Sequence, residues 1–558
     1  MTRITLAVGR MVALGLSAAI WLLVSLPVQG QGPVRYSAPV FVDPERAGGE
    51  PVSIQSTRFG NLVYTSHQGT THLFRDGITG SPTGTGTTAG QDRNQVYIWT
   101  SGDAGATWQR VDAGGGFTTN PFINNGFSDP DLTQDEGGRI YDTGINLVND
   151  SLFSSADGGH TWPDGTLQCH DGDRPWLAGA QANKVFMATD AVEANPNGSN
   201  LGHEVFTSTD GGRSCNQDGI PDFQARQDGS LVFAGFGKLQ YNHRTGDLYE
   251  PYVHYESDGT TVDGVGVSVL RNGATSFTQS PVVPTTLFAH WPAIAIDAAN
   301  NVYLVWDTDE RSTEAGGCGG GASSSAQKDS NPKVLPNTIK LAVFSGGSLA
   351  TAPAIKTIAG PESNTRYLWP WIAAGAAGKL SVVWYQSDAL VDPDCQAANF
   401  RIFEAHVFDA TGANPAVSVV DAAGRVVHSG SICQGGTFCV VSGRDRRLGD
   451  FFTNGIDQRG CVFIASGDTT LKDSSGAELP TSRPIFTRQV SGPSLLNGDC
   501  AASASGAATA GPNASGPGAT PFSSAPVSRS AAAVALILLG LLLSAGGLWR
   551  WRRAARTS

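Results

Sequence analysis

The chain has 558 residues, a formal net charge of −12 at pH 7 and 70 glycines. Its 37 Lys+Arg and 49 Asp+Glu form no basic stripe, which excludes nucleic acid as an expected partner. The two ends differ in composition from the middle and stand outside the folded body.

Residues 1–31 place Arg3 and Arg10 before the apolar run 11–24, with small residues near Gly30. That is the layout of an export signal, expected to be cut near Gly30. An uncleaved anchor fits less well, because the apolar run is short and ends at Pro27. The body is expected over 32–500.

Within the body, an apolar strand, a Gly/Asn/Asp turn and a second apolar strand recur. Copies begin at 51, 129, 174, 235, 291, 369 and 449. Short β-rich runs joined by such turns are hairpin signals. A third strand follows each copy and ends in a tight turn. Three of those turns share a skeleton: TSGDAGATW at 100–108, SSADGGHTW at 154–162 and TSTDGGRSC at 207–215. Looser versions begin at 267, 341, 405 and 485, and a fourth strand such as TQSPVVP often comes next. Four antiparallel strands repeated radially predict an all-β β-propeller. Seven blades are favoured and six are the alternative. Residues 35–44 resemble a fourth strand and are expected to complete the last blade, which removes a weak edge.

The repeated turn has a physical reading. Its Asp can accept backbone N–H groups of its own turn. Its Gly can take φ > 0, and its Trp can pack between blades. Ser101, Asp103, Gly105 and Trp108 are therefore read as structural, as are Ser155, Asp157, Gly159 and Trp162, and Ser208, Asp210 and Gly212. Cys215 stands where the third copy lacks its Trp.

The eight cysteines all lie in the expected exported part, which suggests disulfides and no metal site. The expected pairs are Cys169–Cys215, Cys318–Cys395, Cys433–Cys439 and Cys461–Cys500. Residues 501–530 are Ala/Ser/Gly/Pro/Thr-rich and read as a flexible stalk. The run 531–548 is apolar and about long enough to cross a bilayer. Trp549, Trp551 and the arginines of 549–558 favour a cytoplasmic tail. The expectation is a monomeric body held outside the cell by a C-terminal transmembrane helix.

The three turns resemble the Asp-box (BNR) repeats of sialidases and related extracellular propellers, over roughly residues 35–500. The resemblance implies a site at one end of the ring, opposite the boxes. It also implies three arginines on a substrate carboxylate, a Tyr nucleophile paired with a Glu, and an Asp acid/base. The loops entering each first strand carry candidates: Arg46, Glu50, Asp129, His170, Asp173, Arg174, His290, Glu362, Arg366, Tyr367, Arg444, Arg446, Arg447 and Asp450. In the implied roles, Arg174, Arg366 and Arg447 form the clamp, Tyr367 is the nucleophile, Glu362 its partner and Asp129 the acid/base. The chain departs from the family in lacking an Arg-Ile-Pro motif, and Tyr367 directly follows Arg366.

Bland readings compete at the same positions. The pair Asp173 and Arg174 could close a blade entrance, and Trp291, Trp369 and Trp371 could pack between blades instead of stacking on sugars. The acids of 306–311 could hold Ca²⁺ or form a salt-bridge cluster, which is preferred; no other cofactor is expected. The insertions 67–95 and 310–337 project toward the expected site face. Two functions follow. One is a surface propeller that recognises glycans, with sialidase-type hydrolysis. The other is a non-catalytic propeller that binds a glycan or a surface protein.

Overall fold

The structure, a computed structural model, describes residues 32–67, 96–111, 128–145, 150–170, 172–190, 202–227, 230–235, 237–258, 261–287, 292–315, 332–434, 439 and 444–500. Antiparallel sheets stand in a ring, and neighbouring innermost strands touch all the way round. Six are regular blades, at 49–110, 128–170, 176–221, 293–359, 367–430 and 453–491. Their innermost strands all begin at the same end of the ring.

The expectation of seven equivalent four-stranded blades is corrected. The sheet over 223–284 has seven strands, and its innermost position is split between Leu231–Gly235 and Gln240–Tyr241. At the break Gly237 donates its N–H to the Pro251 carbonyl (3.4 Å), and Pro251, which has no N–H, cannot return a ladder bond. A Cβ on Gly237 would lie 2.2 Å from the Pro251 ring and 2.6 Å from the Pro292 carbonyl, so only glycine fits there. The expected C-terminal transmembrane helix falls on 531–548, outside the described residues. Among the described residues no helix is long and apolar enough to cross a membrane. The segments 1–31, 501–530, 531–548 and 549–558 lie outside the described residues, as do His290 and Trp291.

The ring closes through the N-terminal arm. Arg35–Tyr36 and Val40–Phe41 both pair with Arg483–Ser491, the third strand of the last blade. Blade-to-blade contact is partly polar and centred on buried carboxylates. Asp297 accepts the Tyr303 hydroxyl (2.7 Å) within its own blade and the Gly378 N–H (2.8 Å) of the next. Asp135 does the same with the Tyr141 hydroxyl (2.9 Å) and the Asn183 N–H (2.6 Å). A carboxylate with this many donors repays its burial.

The three repeated turns have one geometry. Asp157 accepts the Ser155 hydroxyl (2.7 Å), the Thr161 N–H (2.9 Å) and the Thr161 hydroxyl (2.7 Å). Asp103 takes the same donors from Ser101 and Thr107, and Asp210 from Ser208 and Ser214. Burial raises these carboxyls, but the hydrogen bonds outweigh it and hold all three below the usual range. The Gly must be Gly: at Gly105 (φ 88°) a Cβ would lie 2.2 Å from the Phe486 ring of the preceding blade. Trp162 is fully buried and donates to the Gly159 carbonyl (3.0 Å). Cys215 bonds Cys169, and Cys433–Cys439 and Cys461–Cys500 also pair. Cys318 lies outside the described residues, and no described cysteine is free.

Asp157→Ala removes the acceptor that organises one turn and leaves its donors to water. It is expected to cost roughly 1–3 kcal/mol, measured by equilibrium chemical denaturation. Because Asp157 contacts no part of the mouth described below, ligand binding there should be unchanged.

Candidate functional site

The site begins with a backbone device. Glu50, Asp129, Arg174 and Trp369 have φ of 49°, 54°, 59° and 55°, and each precedes a proline, Pro51, Pro130, Pro175 or Pro370. A non-glycine residue held there costs on the order of 1–3 kcal/mol, and proline biases its predecessor to extended backbone. The ladder therefore slips, with register shifts between Gly49 and Val52, Ser128 and Asp131, and Leu368 and Trp371. At three of the four positions the side chain reaches the mouth of the ring. Glu50, Asp129 and Arg174 line one small, narrow pocket together with Pro175, Trp176, Asp450 and Phe451.

Aromatic rings make the floor. The Trp176 ring lies 5.1 Å from Phe451, and Phe451 stacks on Trp371 at 5.5 Å. Below them a larger channel of about 810 Å³ runs between the innermost strands, lined by Trp371, Leu132, Lys238, Gln134 and Asn454 among others. Lys238 does not project free into it; its ammonium bonds Asp131 and the Leu132 carbonyl.

The walls are a balanced cluster of charges. Glu50 is its hub. One carboxylate oxygen accepts the Asp450 N–H (3.0 Å), while the other accepts the Asp129 N–H (3.3 Å) and lies 2.9 Å from His67 Nε2. Gly449 allows this approach, since a Cβ there would sit 2.4 Å from Glu50 Cγ. Burial pushes the Asp129 carboxyl well above the ordinary range, and Glu50 and Asp173 push it further; the Ser128 hydroxyl, at 2.6 Å, pulls the other way. Asp129 thus keeps its proton to higher pH than a normal carboxyl. Burial opposes the charge on Arg174 and Arg446, but the surrounding carboxylates more than restore it. These are Asp173, Asp190, Asp450 and Asp129 for Arg174, and Asp450, Glu50 and Asp129 for Arg446. Arg446 pairs with Asp450 through both terminal nitrogens.

Behind Arg174 the charges continue inward. Its guanidinium donates to Asp190 at 3.1 Å. The other Asp190 oxygen lies 2.7 Å from His203 Nδ1, and His203 Nε2 lies 2.7 Å from Glu250. Asp190, His203 and Glu250 are all nearly inaccessible. Burial disfavours the charged imidazole, but Glu250 and Asp190 overcome this and His203 is pushed up to about 10.

The residues placed in roles from sequence divide into groups. Asp129 and Arg174 share the mouth pocket. Tyr367 and Glu362 are brought together, but away from that pocket's lining; burial, then Glu362, raises the phenol, which makes it harder to ionise. Arg366 is fully buried and donates to Asp309 at 2.7 Å. Arg447 pairs with Asp445 and Glu478. The three arginines thus bind separate carboxylates. Of the acids at 306–311, Asp309 joins a salt-bridge cluster: it holds Arg311 as well as Arg366, and Arg311 also pairs with Asp392. Among the described residues no group of three or more His, Cys, Asp or Glu is arranged for a metal. Trp369 is buried and donates to Gln434 at 2.9 Å, and Trp371 belongs to the floor. Glu50, Asp450 and Arg446 were candidates without a role. The signal that marks the mouth was present as the repeated acidic, basic or aromatic residue before proline at 50, 129, 174 and 369.

No family model and no curated protein matches the chain. Solved structures that it is similar to include the GH93 α-L-arabinofuranosidase of Fusarium graminearum (13% identity, 82% of this chain and 98% of that one, TM-score 0.37). A Hadza microbial sialidase (10%, 65% and 65%, 0.38) and a fungal alcohol oxidase (11%, 83% and 77%, 0.41) are also similar. At these values the likeness carries nothing about activity.

The inner charge row gives a pH prediction. His203 has a folded value of about 10 and an unfolded value near 6.5. Its raised value stabilises the fold fully below about pH 6.5, and that contribution is lost as pH rises through about 10. Asp190, Glu250 and Asp222 act on it directly, while Arg174, Asp173 and Tyr255 lie one step further out, around Asp190 and Arg174. The stability gap between the protein and His203→Gln, read by urea denaturation from pH 5 to 10.5, should be widest at the acid end and close at the alkaline end.

Proposed function

We propose that the chain is an exported propeller that recognises glycans at its mouth and cleaves a glycosidic bond there with Asp129 as general acid. The observation that carries this reading is the place of the Asp129 carboxyl in a pocket floored by Trp176 and Phe451, where burial, and then Glu50 and Asp173, raise its hold on a proton above that of an ordinary carboxyl. A proton donor of raised pKa beside ionised groups is what leaving-group protonation requires. Arg174 lines the same pocket and supplies a cation for a substrate oxygen or carboxylate. The disulfides are consistent with export.

The finer form of the proposal is sialidase-type hydrolysis, with Tyr367 as nucleophile and Glu362 as its base. Their proximity supports it. The commitment of Arg366 to Asp309, and of Arg447 to Asp445 and Glu478, favours instead a propeller that binds a glycan or a surface protein without cleaving it.

The test is turnover of fluorogenic glycosides, a sialoside and an α-L-arabinofuranoside first, by residues 32–500 made in an oxidising compartment. Asp129→Asn should lower kcat by about 10²–10⁴-fold, with the alkaline limb of the pH profile, set by loss of the Asp129 proton, abolished. Loss of activity in Tyr367→Phe would establish the sialidase form. No turnover from folded protein, with retention on a glycan array, would leave the binding form.

A further inference from the structure

We propose that His203 is a positioning residue for the mouth: a permanent imidazolium that clamps Asp190 and, through it, sets the Arg174 guanidinium at the pocket wall. The inference rests on the reading that the pocket of Asp129 and Arg174 is the functional site, and it names what holds that site's cation in place.

With both carboxyls ionised, the geometry calls for two protons on the ring. Nδ1 and Nε2 of His203 each face a carboxylate oxygen at 2.7 Å, on Asp190 and Glu250. A neutral imidazole has one N–H, so one of these contacts would set a lone pair against a lone pair. The ring is 1% exposed, and Asp190 and Glu250 are 3% and 0% exposed, so water cannot relieve the conflict. Two ring N–H groups satisfy both. Charge then balances along the row: Arg174 and His203 against Asp190 and Glu250. Asp222 faces the same row, and burial and then Glu250 raise its carboxyl well above the usual range. It accepts the Ser268 hydroxyl (3.0 Å) and closes the row at its inner end.

Position follows from the same contacts. Asp190 stands just after Val185–Thr189 and His203 just before Glu204–Ser208, so both belong to the 176–221 blade. Glu250 lies on Leu248–Tyr255 of the neighbouring irregular sheet. The imidazolium therefore ties two sheets together beneath the mouth. Arg174 already has a left-handed backbone (φ 59°) and is partly open to solvent. Its terminal nitrogen is 3.1 Å from the Asp190 oxygen that His203 leaves available. If His203 cannot donate, Asp190 loses the contact that orients it and Arg174 loses a fixed anchor.

The test needs no glycan, so it stays readable if the hydrolase reading fails. The ring nitrogens of the ¹⁵N-histidine-labelled protein are followed by NMR from pH 5 to 9, with His203→Gln assigning the missing signal. One ring should show two protonated nitrogens throughout. Arg174 modification by phenylglyoxal is then timed by peptide mass spectrometry, with Arg446 as the internal reference. In His203→Gln, Arg174 should react roughly tenfold faster while Arg446 is unchanged, the loss expected for one charge-assisted hydrogen bond. A His203 ring that titrates near 6.5 overturns the proposal, as does an unchanged Arg174 rate in a folded variant. Should His203→Gln not fold, Glu250→Gln assigns the ring and the wild-type titration decides.

Discussion

The mouth of this propeller depends on one backbone constraint, the left-handed residue before proline at the start of an innermost strand. A regular strand would pair Glu50, Asp129 and Arg174 into the ladder and turn their side chains between blades. The bulge breaks that alternation once per strand. It takes one residue out of register and leaves the following residues free to pack and pair, as Val52, Asp131 and Trp371 do. The strain is local, and the ring that imposes it is held elsewhere, by the buried Asp135 and Asp297 bridges and by the N-terminal arm.

Crowding of carboxylates is the second consequence. Several innermost strands converge on a narrow opening, so groups placed there cannot avoid each other. The chain answers with pairing rather than distance. Arg446 lies against Asp450, His67 beside Glu50, and Arg174 against Asp190. Asp129 is disfavoured as an anion first by burial and then by the negative charge of Glu50 and Asp173. A proton-holding acid is thus a product of the architecture as much as of the residue. The same logic extends inward through His203, where an imidazolium separates two carboxylates that could not otherwise share one interface.

Much of the fold was legible because it rests on short-range rules. The Ser-x-Asp turns revealed the repeat, since their hydrogen bonds join residues two to four apart. The pairing of 35–41 with the last blade, and the bonds Cys169–Cys215, Cys433–Cys439 and Cys461–Cys500, were also anticipated. The irregular sheet was not. The segment around Gly235 to Gln240 has the composition of a strand, and the close approach of Gly237 to the Pro251 ring and Pro292 carbonyl depends on chain distant from it. The site was legible only in part. Asp129 and Arg174 fell together because both enter through the same strand-start device. Arg366 and Arg447 have the same loop origin and the right charge, but Asp309, Asp445 and Glu478 occupy them first. Which anion captures an arginine is a three-dimensional fact that loop composition does not encode.

The rings of Trp176, Phe451 and Trp371 form one run of aromatic contacts, with Trp176 and Phe451 lining the mouth pocket and Trp371 lining the channel. The two spaces therefore share a wall. A ring displaced from the channel side moves the surface that faces the charges above it, so the packing of the bore and the shape of the mouth are not independent.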